Sequence, residues 1–248
     1  MDQLKETISE KWDISSATYD SYHGHGIKSE EESIAWKSLF RNVFPADSSK
    51  ILDVGCGTGE LTILFAQMGY RTTGIDLSGK MLEKAKVKAQ LLGLDINYQI
   101  GDAENPPFDD NSFDIVINRH VLWTLPHPQI ALEGWKRVLK NRGMAIVIDG
   151  IWNDGSLETK LRRFISKLCV SVIDRESSDN DYSKELNDSL PNAFGTSPDN
   201  ARKYFDVSGF KNIGIKDIEN IRDIQRKKMP FRYQVAFNYK YYLIHGEK

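Results

Sequence analysis

The chain has only two cysteines, Cys56 and Cys169, in 248 residues. That excludes a disulfide framework and leaves too few thiolates for a cysteine zinc site. Cys56 lies among glycines, where a small side chain suits a tight turn better than a redox or nucleophilic role does. Long apolar runs are also missing. None approaches the roughly 18 residues of a membrane span, and Met1–Glu6 has neither the basic start nor the apolar core of a secretion signal. The expectation is a cytoplasmic protein with no membrane partner. An excess of one charge is lacking too, with 33 Lys and Arg against 35 Asp and Glu. A protein that grips extended nucleic acid through many phosphates needs more cations, so small substrates fit better and no nucleic-acid partner is expected. Internal repeats and low-complexity segments are absent.

What is present is an ordinary globular composition, 40% hydrophobic and 27% charged, long enough for one large domain with a sizeable core. Ile51-Leu52-Asp53-Val54 reads as a buried strand that stops in the turn Gly55-Cys56-Gly57-Thr58-Gly59, and residues 60 to 68 read as a helix. Glycines let backbone pass close to a ligand, and the helix start offers free N–H groups. A dinucleotide fingerprint needs a glycine three residues after Gly57, where Glu60 stands instead. Residues 71–76 predict a second strand ending at Asp76, placed where a sheet of this type puts a carboxylate for both hydroxyls of a ribose. Ser78 is already available to cap the next helix, from about Gly79 to Leu92.

Residues 96–100 predict a third strand and 113–118 a fourth, followed by Asn118-Arg119-His120-Val121-Leu122-Trp123. Ligands bind outside the carboxyl ends of strands in open α/β sheets. His120 is therefore a candidate substrate contact or base, or else a histidine that only hydrogen-bonds the turn. A helix from Pro128 and a fifth strand, 144–149, with five apolar residues in a row come next. After Asp149 the apolar stripe Leu157, Leu161, Phe164, Ile165, Leu168 and Val172 predicts a helix, followed by the polar run 174–181. Ser197-Pro198 opens another helix, and 211–218 and 233–244 read as the last strands. Between them Arg222, Arg226, Lys227, Lys228 and Arg232 form a basic cluster, read as a solvated face. Residues 1–45 are too apolar for a tail and should pack on the domain. The loop Tyr22-His23-Gly24-His25-Gly26 reads as an exposed hinge, a metal loop or the source of a base.

The combination of Asp53, Gly55, Gly57 and Gly59 with Asp76 and Asp102 resembles the class I S-adenosylmethionine (SAM) methyltransferases. Trp12-Asp13 followed by Ala17-Thr18-Tyr19-Asp20 is similar to the N-terminal cap of their small-molecule members, including the quinone-biosynthesis type. The resemblance implies a Rossmann-like, doubly wound, seven-stranded α/β sheet, mostly parallel with an antiparallel last strand. It covers about 45–150 well and implies a single domain: cap 1–45, SAM-binding core 46–150, helical lid insertion 151–197, and C-terminal helix and β-pair 198–248. It places SAM against Tyr19, Asp53, Gly55, Cys56, Gly57, Asp76, Leu77, Asp102, Ala103 and Asn118, with Asp102 accepting from the adenine amino group. Tyr22, His120, Trp123 and Trp152 are then the substrate candidates, and His120, Tyr19 and His23 the catalytic ones. No metal is implied. Asn105-Pro106-Pro107-Phe108 copies a motif of amine-methylating relatives but precedes the fourth strand, so it reads as a loop.

The expected activity is in-line methyl transfer to a small molecule through an N, O, S or C nucleophile, by a monomer or homodimer. The insertion serves as a substrate lid or as an oligomer contact. An RNA or protein methyltransferase, and a SAM-binding protein without transfer, are the alternatives.

Overall fold

Two helices precede the sheet in the computed structural model, which describes residues 2–173 and 182–248. Helix α1 (Gln3–Ser15) starts behind Asp2, whose carboxylate accepts the Leu4 amide. Helix α2 (Glu30–Val43) starts behind Ser29, capped in the same way through the Glu32 amide, and buries Trp36, Phe40 and Val43 at helical spacing.

The alternation then begins. Strand β1 (Lys50–Val54), helix α3 (Glu60–Gln67), strand β2 (Arg71–Asp76), helix α4 (Gly79–Leu91) and strand β3 (Asn97–Ile100) form the first half. Strand β4 (Phe113–Arg119), helix α5 (Pro128–Val138) and strand β5 (Leu139–Gly150) form the second. Helices α6 (Leu157–Ile173), α7 (Lys184–Asp188) and α8 (Pro198–Val207) lead to strand β6 (Lys211–Asp217), helices α9 (Glu219–Lys227) and α10 (Phe231–Gln234), and strand β7 (Tyr241–Glu247).

The seven strands lie in the order β3-β2-β1-β4-β5-β7-β6. Strands β1 to β5 pair in parallel, and β7 runs antiparallel to both β5 and β6. The strand order reverses between β1 and β4, which is where such sheets open a crevice for ligand. Side chains alternate across the sheet, so Leu52 and Val54 join Trp135 and Val116 on one face, while Ile51 joins Trp36, Phe65, Ile115 and Ile117 on the other. Both faces are covered, as the continuous apolar strands require.

Three expectations change. The last strand is shorter than the aromatic run 233–244: Tyr233 lies in α10, one turn that opens behind Pro230, and pairing with β5 begins only at Tyr241, opposite Gly150. Arg222 is not part of a solvated face, since it is buried and held by Glu219, Asp223 and the Tyr239 carbonyl. The apolar stripe of α6 points outward: Leu157, Leu161, Phe164, Ile165 and Leu168 are all exposed. The predicted polar run 174–181 lies outside the described residues.

Candidate active site

The glycine turn follows directly from β1. Gly55 and Gly57 hold φ of 65° and 54°, in the left-handed region that side chains resist. A Cβ on Gly55 would stand 2.4 Å from Val121, whereas one on Gly57 would face open space with Tyr19 at 4.0 Å. Gly59 has a different task, because a Cβ there would collide with the Tyr98 hydroxyl at 2.5 Å. The third glycine thus seats α3 against its neighbours. Cys56 packs with Leu82, Ala85, Ala89 and Tyr98, and burial pushes its thiol well above the ordinary range. It is not a nucleophile at neutral pH.

Asp76 closes the turn. Its Oδ2 accepts from the Gly57 amide and its Oδ1 from the Ser78 amide, both at 2.8 Å. Each carboxylate oxygen keeps a further lone pair. A cavity opens in front of it, with Tyr19, Gly55, Gly57, Leu77, Asp102 and Ala103 on the wall together with Lys5, Arg119 and His120. Asp53 and Cys56 line an adjoining recess with Tyr19, Glu60 and Arg119. Asn118 lies on the wall of neither. It is fully buried within β4, because the two-residue period of a strand turns it away from the side that Arg119 takes.

Two groups in this crevice each keep one polar atom unmatched. Asp53 is buried with no partner for Oδ2, and Arg119 has none for one guanidinium nitrogen, among the described residues. Burial pushes the Asp53 carboxyl up to about 7, with Arg119 opposing. Asp102, by contrast, is already engaged. Lys5 of α1 lies 2.7 Å from its Oδ2 and 2.5 Å from Glu104, and the Glu104 amide donates to Oδ1.

A second chamber shares Trp12, Tyr19 and His120 with the first. Its other walls include His23, His25, Trp123, Trp152, Tyr182 and Arg163. His120 itself holds φ of 60°, unusual for a residue with a side chain and found most often where function keeps it. Its ring stacks on Tyr241 with centroids 5.4 Å apart and meets Trp152 edge-on at 4.8 Å. Nε2 is 3.3 Å from the Tyr241 hydroxyl, and Nδ1 is 4.0 Å from the buried carboxylate of Asp149. Burial, then the nearby Arg119, holds His120 well below its ordinary pKa, so it is neutral. Burial lifts Asp149 to about 7.

Tyr22 is outside the chamber. The short 3₁₀ turn at Tyr19–Ser21 sends Tyr19 inward and leaves Tyr22 at the surface. The loop after it is packed and not the exposed hinge expected: His25 stacks on Tyr19 at 4.2 Å, and burial pushes it down to about 4. The cap is tied to the sheet by polar bonds. Ser78 donates to Asp13 and Thr58 to Asp20, while Glu60 accepts from the Ile27 amide and from Lys88. Glu60, in the place of a third fingerprint glycine, fastens the loop over the crevice.

Residues 52–147 match the family model of the methyltransferase domain. A demethylmenaquinone methyltransferase of Staphylococcus haemolyticus is 30% identical over 218 residues, 86% of this chain and 89% of that protein. The chain belongs to the class I SAM-dependent methyltransferases. Solved structures show the same fold at lower identity. Phosphoethanolamine N-methyltransferase 2 of Haemonchus contortus, in complex with SAM, superposes with a TM-score of 0.68 at 17% identity; this chain is covered fully and spans 60% of that one. Geranyl diphosphate C-methyltransferase of Streptomyces coelicolor gives 0.63 at 17% identity, with 99% and 98% covered.

SAM is therefore the cofactor of this methyltransferase. Sequence reasoning missed Lys5, Arg119, Asp149 and Tyr182, and it offered His25 only as part of a loop read as a hinge, a metal loop or the source of a base. Arg119 and Asp149 carried a local signal, since each stands near the carboxyl end of its strand.

Proposed function

We propose that this methyltransferase methylates a small, planar, largely apolar acceptor held in the aromatic chamber, with His120 taking the acceptor's proton. One observation carries the reading: Tyr19 and His120 line both cavities, so a methyl group leaving one would pass them to reach the other. The crevice fits SAM in kind. Its unmatched Asp53 and Arg119 suit the ammonium and carboxylate of the methionyl end. The spare lone pairs of Asp76 suit the ribose hydroxyls, and Gly57 leaves the room that a Cβ would fill. Asp102 and Ala103 flank the adenine end, where Lys5 shares the Asp102 carboxylate.

When bound, SAM supplies an electrophilic methyl on a positively charged sulfur. The protein's part is to align the acceptor and exclude water. With SAM held there, the acceptor would take the methyl carbon, the S–CH₃ electron pair would stay on sulfur, and His120 Nε2 would receive the acceptor's proton. Asp149 stands 4.0 Å from Nδ1, beyond hydrogen-bond distance, so its carboxylate acts on the tautomer only through its field, and the Tyr241 hydroxyl 3.3 Å from Nε2 would have to give way to the acceptor. The walls support an aromatic or apolar acceptor: Trp12, Trp123, Trp152, Tyr182 and Phe194 offer ring faces and edges. Of the three proteins named above, the sequence relative is a demethylmenaquinone methyltransferase, whose acceptor is planar and has a large apolar part; the phosphoethanolamine and geranyl diphosphate enzymes share the fold alone.

Labelled SAM offered to a small-molecule extract, a tRNA pool and a protein pool tests the acceptor class. Label in the small-molecule fraction alone is expected. Label in RNA or protein would assign the chain to those substrates, and none in any pool would leave a SAM-binding protein without transfer.

Asp53 gives a pH test. An ammonium needs the ionised carboxylate, which the free protein gains only above about 7. Binding lowers that pKa, so affinity must rise with pH until Asp53 is ionised in both states. SAM affinity is expected to fall by about tenfold per pH unit below that point. Calorimetric titration between acid and neutral pH measures this, and Asp53→Asn should flatten the slope. A flat profile in the unaltered enzyme would remove Asp53 from the ammonium site.

A further inference from the structure

The loop after the Tyr19–Ser21 turn is shaped to hold one histidine against the aromatic chamber. Gly24 and Gly26, on either side of His25, have φ of 86° and 76°, in the region that side chains resist. A Cβ on Gly24 would stand 2.5 Å from the Phe237 ring, so glycine is what lets the backbone lie there. The Ile27 amide, donating to Glu60, fastens the far end. Held in this way, His25 lays its ring on Tyr19 and lines the chamber. His120 is near enough to act on it electrostatically. His23 lines the same chamber, but its ring lies on Tyr233 of α10, with centroids 4.4 Å apart.

Stacking explains the His25 ring but not its nitrogens. Nδ1 is buried and has no hydrogen-bond partner among the described residues, a cost that a plain aromatic ring would avoid. With Nδ1 enclosed, Nε2 is the nitrogen left to meet a molecule in the chamber. Burial, then His120 and Arg119, keeps the ring neutral at physiological pH, and a neutral imidazole donates at one nitrogen and accepts at the other. We propose that His25 is a second polar anchor for the acceptor, its Nε2 hydrogen-bonding an oxygen or nitrogen other than the atom whose proton goes to His120. The anchor rests on the acceptor class proposed above and adds to it that the ring carries at least two polar substituents. At about 310 Å³ the chamber has room for a fused two-ring arene.

Calorimetry on the full chain saturated with S-adenosylhomocysteine tests it, using β-naphthol and the dihydroxynaphthalene isomers that add a second hydroxyl to it. A hydroxyl can meet either tautomer of His25. The best diol is expected to bind at least about tenfold more tightly than β-naphthol, the worth of one uncharged hydrogen bond. His25→Phe keeps a ring to stack on Tyr19 and removes the nitrogens. It should bring that diol to within about threefold of β-naphthol, with SAM affinity also changed by less than about threefold, because His25 is not on the wall of the cofactor cavity. His25→Gln places an amide near the position of Nε2 and should restore part of the preference, which a purely structural ring would not. No preference for a diol in the unaltered enzyme, or the same preference in His25→Phe, overturns the anchor. So does an equal loss of SAM and diol affinity in His25→Phe, which makes the ring a packing element. Failure of every naphthalene to bind overturns the acceptor class and the anchor with it, whereas β-naphthol binding as well as its diols overturns the anchor alone.

Discussion

Replacing His120 with asparagine is expected to lower turnover by about 100-fold or more, the usual contribution of a positioned base, while SAM affinity changes by less than about threefold. Asparagine is the suitable probe because residue 120 holds φ of 60° and Asn tolerates that region better than most side chains. Loss of function then reports the missing ring and not a strained backbone. The pH profile adds a second reading. Burial and Arg119 keep His120 neutral well below its ordinary range, so kcat should show no acid limb from this group near neutrality. Asp149→Asn tests the positioning role of the carboxylate 4.0 Å from Nδ1. A tautomer effect would lower kcat and reshape the pH profile with KM kept, whereas a packing role would move only thermal stability. If His120→Asn retains full turnover, the histidine serves the turn alone, bonding Ile148 through its backbone amide.

The second large effect belongs to Asp76→Ala, which should weaken SAM binding by at least about 100-fold. Hydrogen bonds to a charged group are worth about 1.5–3 kcal/mol each. Two ribose hydroxyls losing their shared acceptor therefore lose about 3–6 kcal/mol together, and tenfold corresponds to about 1.4 kcal/mol. The turn suffers too, because the amides of Gly57 and Ser78 both donate to this carboxylate at 2.8 Å. Asp76→Asn keeps one acceptor oxygen and should fall between the two, which separates ribose binding from collapse of the turn. Equilibrium titration with SAM decides it. An unchanged dissociation constant would take Asp76 out of the pocket.

Asp53 and Asp76 were legible because they stand at or next to the last residue of a short strand, and a strand that enters a parallel sheet delivers its last side chains to the carboxyl edge. The glycines were legible because only their backbone freedom explains their spacing. Asn118 was misplaced by a single residue of strand period, and that one step put Arg119 at the crevice in its stead. Lys5 had no local signal at all. It reaches Asp102 across 97 positions of chain, and only the docking of α1 brings them within 2.7 Å.

The α6 stripe failed for a related reason. Periodicity tells that Leu157, Leu161, Phe164 and Leu168 share a face, but not where the face points. The outward turn follows from Ser166 and Val170 being the buried side, with Ser166 bonded to the Arg232 carbonyl of α10. The sequence by itself determined the βα units, the glycine turn and the strand-end carboxylates, because these rest on backbone geometry and hydrophobic period within a few residues. Only the tertiary structure decided that Tyr19 and His120 stand between two cavities, that Lys5 shares Asp102, and that α6 shows leucines to the outside. Those are contacts between distant segments, set by packing and unmarked in any local pattern.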